Sequence, residues 1–319
     1  MKLHALFLLF PIVANADVLP LDDALRATYT ACVGIDDELT ELKKMAGINT
    51  VVTGVGTGLG IGATVVGVAK ASEDAYTQEE IEKLIREIRE LEQDLEPSSN
   101  QDLQQFYEEF VNELNDNPDV QETNNNIDKS VTKSKKLGKW RTGLMAGNTA
   151  TNIAGAIISG KNRVDDDLQT QIDNCKVAVK SLRNSISQAR TEGADSADID
   201  EANKIVSVCC QYENVDVSKI NTRGKGAMVS SIIGTTTGVA GTVASAVANT
   251  DDIRKDTEAK EGKKTNEDWQ KEKNVNTAAN VLAGASTVAS GVATVFNATQ
   301  ISAIKKVAGV AAECTEVLK

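Results

Sequence analysis

Residues 45–69 read MAGINTVVTGVGTGLGIGATVVGVA, 25 consecutive positions with seven glycines and no charge, proline or aromatic ring. A run of that length is an uninterrupted helix long enough to cross a bilayer. Three more stretches share its character: 142–160, 226–250 and 274–304, of 19, 25 and 31 residues. Each interior glycine costs a helix about 1 kcal/mol against alanine, so the glycines need a compensating role. Gly54, Gly58 and Gly62 recur every fourth residue, as do Gly234 and Gly238. Spacing by four places them on one helix face, where a missing side chain lets a second helix approach closely. Gly147, Gly155, Gly284 and Gly291 are assigned the same packing role in the other two stretches.

Working outward, the flanking segments are charged and carry helical periodicity. Ile81, Leu84, Ile88, Leu91 and Leu95 step by three and four, and Leu103, Phe106, Phe110, Val111 and Leu114 repeat the pattern. A second seam runs through Val164, Leu168, Ile172, Cys175, Val179, Leu182 and Ile186. Such seams belong to coiled coils rather than strands. Loops are expected at 97–100, at 115–126 around Pro118, and at Glu192-Gly193. The expected fold is all-α: elongated helical hairpins with coiled-coil extensions.

Cysteines and glycines also mark an internal repeat. Cys32 precedes Gly54, Cys210 precedes Gly234, Gly155 precedes Cys175 and Gly291 precedes Cys314, all by 20 to 24 residues. Each half thus reads cysteine, glycine-rich helix, polar linker, glycine-rich helix, cysteine. The expected halves are residues 17–190, with a coiled-coil insertion at 70–141, and 191–319. In antiparallel hairpins, residues at similar distances from the tips lie at similar heights, at about 1.5 Å per residue. Cys32 is therefore expected to face Cys175, and Cys314 to face Cys209 or Cys210, leaving one thiol to join a second chain. The alternative is that these cysteines are small buried apolar residues on the seams.

At the amino terminus Lys2, the apolar run 3–13 and Ala14-Asn15-Ala16 match a secretory signal peptide over residues 1–16, with a mature start at Asp17. The expectation is an exported protein of the periplasm, cell envelope or exterior, where disulfides persist. Cleavage also removes His4, the one histidine. The commonest general base and metal ligand is then missing from the mature chain.

No catalytic, cofactor-binding or metal site emerges. Gly155–Asn162 approaches a phosphate-binding loop, but Asn162 replaces the hydroxyl that holds magnesium and no strand precedes it. Gly58–Ala63 fits a dinucleotide pattern only because glycine occurs at every second position. Asp165–Asp167 and Glu79-Glu80 read as helix starts or solvated faces. A net charge of -12 with no basic, aromatic-laced stripe excludes nucleic acid as a natural partner.

Two non-enzymatic roles remain. In one, the uncharged helices associate with membrane lipid and assemble, as a bundle or homo-oligomer, with Trp140 and Trp269 as interfacial anchors. Seven Lys or Arg between Asp251 and Lys273 support that role as an inside loop. In the other, a soluble scaffold binds a protein partner that the sequence does not name.

Overall fold

The computed structural model describes residues 18–94 and 116–319. The proposed signal peptide and the seam over 103–114 lie outside those residues. The described chain is all-α. Its helices are α1 (Leu21–Cys32), α2 (Ile35–Asp94), α3 (Pro118–Lys161), α4 (Asp166–Glu192), α5 (Ser196–Cys209), α6 (Ser218–Val247), α7 (Asp251–Arg254), α8 (Asp256–Lys260) and α9 (Asn266–Leu318). A 3-10 turn, Cys210–Asn214, follows α5.

Local chemistry sets the boundaries. Gly34, at φ 97°, makes the turn from α1 into α2 in a conformation that disfavours side chains. Asp165 caps α4 by accepting from the Leu168 amide, and Gly193 at φ 78° ends it in the left-handed conformation. The loop expected at 115–126 is corrected: α3 begins at Pro118. Asn117 accepts from the amides of Asp119 and Val120, and proline suits the first helical position because its missing N–H has no intrahelical partner. Asn and Thr beyond it remain helical because Val120, Thr123 and Ile127 are buried at seam spacing.

The chain divides into two compact units. Unit 1 comprises residues up to Ala46, Asn162–Arg223 and Thr299–Lys319. Its core is conventional, with Leu39, Ile172, Val179, Leu182, Ile205, Ile220 and Ile304 all buried. Full burial of such a side chain contributes roughly 1.5–3 kcal/mol. The whole seam from Val164 to Ile186 belongs to this core. Two disulfides cross it, Cys32–Cys175 and Cys209–Cys314, each with Cα atoms 4.8 Å apart. Cys210 keeps its thiol and is half-buried.

Unit 2 comprises Gly47–Lys161 and Gly224–Ala298 and holds most of the four uncharged stretches. It contains a modest apolar cluster of Ile81, Leu84, Val120, Ile127, Val131 and Ala259, with Trp269 packed against it. Apart from that cluster, its interior is built on a different principle.

Candidate functional site: an inverted bundle segment

Between residues 47 and 70 the buried positions of α2 are Asn49, Thr53, Gly56, Gly60, Ala63, Gly67 and Lys70, alternating by four and three. Those of α6 in unit 2 are Gly224, Ala227, Ser230, Ser231, Gly234, Gly238, Gly241 and Ser245, and Ala248 just past its end continues the row. In α9 they include Asn276, Ala279, Ala283, Ser286, Ser290, Ala293 and Asn297, and in α3 Arg141, Met145, Asn148, Asn152, Gly155 and Ser159. A strict heptad is therefore filled with glycine, alanine, serine, threonine and asparagine where coiled coils carry leucine and isoleucine.

The large apolar residues of the same helices point outward. Val51, Val55, Ile61, Val65 and Val68 on α2 are exposed, as are Ile232, Ile233, Val239 and Val243 on α6. Val281, Val288 and Val295 on α9 are each about two-thirds exposed, at 66%, 67% and 64%. Among the described residues three helices, α2, α6 and α9, are long and apolar enough to cross a membrane, and only 28%, 33% and 33% of their most apolar segments is buried. Helix α3 is the polar member, with Ile153 and Ile157 as its exposed apolar residues in this region. In water this arrangement forgoes the usual driving force, because apolar area stays wet and polar groups are desolvated.

Hydrogen bonds satisfy most of the interior, although Asn49 Oδ1, Ser231 Oγ and Asn249 Oδ1 are buried without a hydrogen-bond partner among the described residues. Asn148 is the hub: its Nδ2 donates to Ser286 Oγ at 3.0 Å, and its Oδ1 accepts from Ser290 Oγ at 3.0 Å and from Asn152 Nδ2 at 3.1 Å. Ser290 Oγ also lies 3.0 Å from Asn152 Oδ1, and Ser286 Oγ donates to the Gly234 carbonyl at 2.8 Å. Another cluster joins Asn49 Nδ2 to Ser159 Oγ at 2.6 Å and to Asn297 Oδ1 at 2.9 Å. Exposed hydroxyls are satisfied within their own helix, as where Thr236 and Thr237 donate to the carbonyls of Ile232 and Ile233.

Glycines make room for these polar side chains. A Cβ on Gly234 would meet the Asn152 amide at 2.7–2.8 Å, and one on Gly155 would meet Thr53 Cγ2 at 2.8 Å and Ser231 Oγ at 3.1 Å. Gly238 faces Thr149 at 2.5 Å, and Gly147 faces Leu59 at 3.1 Å. Gly291 and Gly62 make ordinary contacts, 3.9 Å to Thr57 and 3.4 Å to Leu144. The close-approach face expected for Gly54, Gly58 and Gly62 is corrected, since a Cβ on Gly54, Gly58 or Gly284 would meet nothing within 4 Å. The tight positions on α2 are Gly56 against Thr151, Gly60 against Thr287 and Gly67 against Asn280. Gly138 against Asn249, Gly226 against Phe296 and Gly241 against Met145 are further tight positions that glycine spacing missed.

Beyond Ala69 the interior becomes ionic. Lys70, fully buried, donates to Asp74 at 2.6 Å and Glu272 at 3.1 Å, and Lys264 donates to Glu272 at 2.5 Å. The Arg141 guanidinium reaches Ser245, Asn276 and Asn280 at 2.8–3.0 Å. The linker read as a basic inside loop is largely neutralised: Arg254, Lys255, Lys260, Lys263 and Lys264 all form ion pairs. Hydrogen bonds from Lys255 and Thr265 hold the half-buried Asp268 carboxyl down at about 2. Trp140 is 61% exposed, whereas Trp269 is half-buried beneath Lys264, whose Nζ sits 3.7 Å from the ring centroid. Trp269 is thus partly packed, against the apolar cluster of unit 2.

Of the chemistry-bearing residues, Cys32, Cys175 and Cys314 have sulfurs within 4.8 Å of one another, but disulfides already engage all three. Helix α3 continues through Lys161, so Gly155–Asn162 forms no phosphate cradle. No family model, no curated protein and no solved structure matches the chain.

Proposed function

We propose that this protein is a non-enzymatic, exported envelope protein whose four uncharged stretches insert into a membrane as one bundle. The observation that carries the reading is the inverted polarity of unit 2, with valine and isoleucine outside and a hydrogen-bonded interior of Asn, Ser, Thr and Gly. Lipid is the solvent in which that polarity is favourable: apolar side chains meet acyl chains, while close packing and interhelical hydrogen bonds hold the helices together. Helical stretches of 19 to 31 residues span about 28 to 46 Å, enough for a hydrocarbon core of about 30 Å. The interior contacts are a glycine zipper in which each tight glycine receives a polar or apolar side chain from a neighbouring helix. The two disulfides support an oxidising compartment, in keeping with the signal peptide.

A soluble role has one observation in its favour: α3 is too polar in this region to count among the candidate spans. In that case a second copy of the chain, or a protein partner, would cover the valine faces. Alkaline carbonate extraction of fractionated cells separates the two. Retention in the membrane pellet is expected, and complete release would sink the insertion reading in favour of a soluble assembly.

A further inference from the structure

On each of the four helices, the charges nearest the uncharged stretch on the unit 1 side are all basic. Lys43 and Lys44 precede the first stretch, and Lys161 and Arg163 follow the second. Lys219, Arg223 and Lys225 precede the third, and Lys305 and Lys306 follow the fourth. The first carboxylates beyond them are Glu41, Asp165, Asp216 and Glu313, so nine cations and no acid intervene in a chain of net charge -12. At the other ends of the same stretches, six cations from Lys129 to Arg141 precede the second stretch, but acids of other segments pair with several cations there, as Glu73 with Lys133, Asp251 and Asp256 with Lys135, and Asp74 and Glu272 with Lys70.

Seven of the nine belong to unit 1. Lys43, Lys44, Lys305 and Lys306 are exposed and make no ion pair among the described residues. Lys219, Arg223 and Lys306 line a cleft of about 430 Å³ in unit 1, together with Asn214, Gln211 and Asp216. Arg223 is anchored there by a 2.6 Å hydrogen bond to the Thr299 carbonyl. Asp216, the one acid of the cleft, accepts from the Ser218 amide at 2.9 Å at the start of α6.

We propose that these cations bind an anionic lipid surface, taking its phosphate headgroups beside the uncharged stretches and in the Lys219–Arg223–Lys306 cleft. The inference rests on the insertion reading and adds a lipid class to it. Cations within a Debye length of an anionic bilayer are attracted by about 1 kcal/mol each, and apolar insertion alone does not distinguish headgroups. The disulfide-bearing segments lie beyond the cations, so the leaflet engaged is the one facing the compartment where disulfides form.

The test is co-flotation of the intact, oxidised chain with phosphatidylcholine vesicles and with vesicles containing roughly a third phosphatidylglycerol, at about 0.05 to 0.5 M salt. Wild-type chain is expected to favour the anionic vesicles on the order of a hundredfold at low salt, with the preference falling as salt rises. The combined variant Lys43→Gln, Lys44→Gln, Lys305→Gln and Lys306→Gln, which leaves five of the nine cations, should lose most of the preference for the anionic vesicles and bind the neutral ones as wild type does. Its circular dichroism melt checks that the surface changes leave the fold intact, and the salt dependence of wild type tests the idea without any variant. Equal, salt-insensitive flotation with both vesicles overturns the headgroup inference and leaves insertion standing. A variant that keeps the wild-type preference also overturns it, and flotation with neither vesicle overturns both.

Discussion

Replacing Gly234 by alanine puts a methyl carbon 2.7 Å from Oδ1 and 2.8 Å from Cγ and Nδ2 of Asn152, closer than real Cβ contacts come. Asn152 has little freedom to withdraw, being 1% exposed, in contact with Asn148 at 3.1 Å and accepting from Ser290 at 3.0 Å. Forcing an extra carbon into a filled interior costs about 1–3 kcal/mol, and a displaced hydrogen bond about 1 kcal/mol more. Better helix propensity returns about 1 kcal/mol, leaving a net loss of roughly 1–3 kcal/mol. Gly58→Ala is the matched control, because its methyl meets nothing within 4 Å and the propensity gain is unopposed. That variant should be neutral or up to about 1 kcal/mol more stable. Thermal unfolding by circular dichroism in one detergent reads both, at roughly 2–4 °C per kcal/mol for a chain of this size. A lower melting temperature for Gly58→Ala with no change for Gly234→Ala would refute the assignment of the inner and outer faces.

Asn148→Ala removes the hub shared by Asn152, Ser286 and Ser290 and should cost about 1–3 kcal/mol; a melt unchanged from wild type would show that the network contributes nothing. Non-reducing peptide mapping should recover Cys32 linked to Cys175 and Cys209 linked to Cys314, with Cys210 alone alkylated, and any linkage through Cys210 contradicts the pairing. Opening the Cys32–Cys175 bridge by Cys32→Ser should lower stability by roughly 2–5 kcal/mol in the same melts, whereas an unchanged melt would show the bridge to be dispensable. Asp268 should titrate near 2 by carboxyl NMR. Its folded value lies below the ordinary carboxylate value of about 3.9, so its stabilising effect is complete above that pH and is lost as pH falls through about 2. Titration at the ordinary value would show that Lys255 and Thr265 do not engage it.

The helical class was legible because no other element tolerates 25 residues without charge, proline or an aromatic ring. Cysteine pairing was legible for Cys32 and Cys175 from hairpin height, but height alone did not choose between Cys209 and Cys210. The glycine face was misread because residues 54–62 carry glycine at every second position, which supports two sets spaced by four. The deciding signal lies outside the glycines: the Ile35, Leu39, Leu42, Ala46 seam, carried on by four and three, lands on Asn49, Thr53, Gly56 and Gly60. Reading hydrophobicity alone hid this, since the seam changes from apolar to polar partway along one helix. The partial packing of Trp269 was likewise not legible, because it depends on Lys264 and on a cluster of distant residues that includes Val131.

The two disulfides also decide how the chain would respond to tension. Cys32–Cys175 brackets 143 positions and Cys209–Cys314 brackets 105, and each bracket contains two of the uncharged stretches. A pull between the two ends of the chain would follow the covalent shortcut from Cys32 to Cys175, along α4 and α5 to Cys209, and across to Cys314. Both glycine-rich hairpins lie off that path as closed loops. They bear no load until a sulfur bridge is broken, so a protein tethered at its ends could be stretched without drawing its uncharged helices apart.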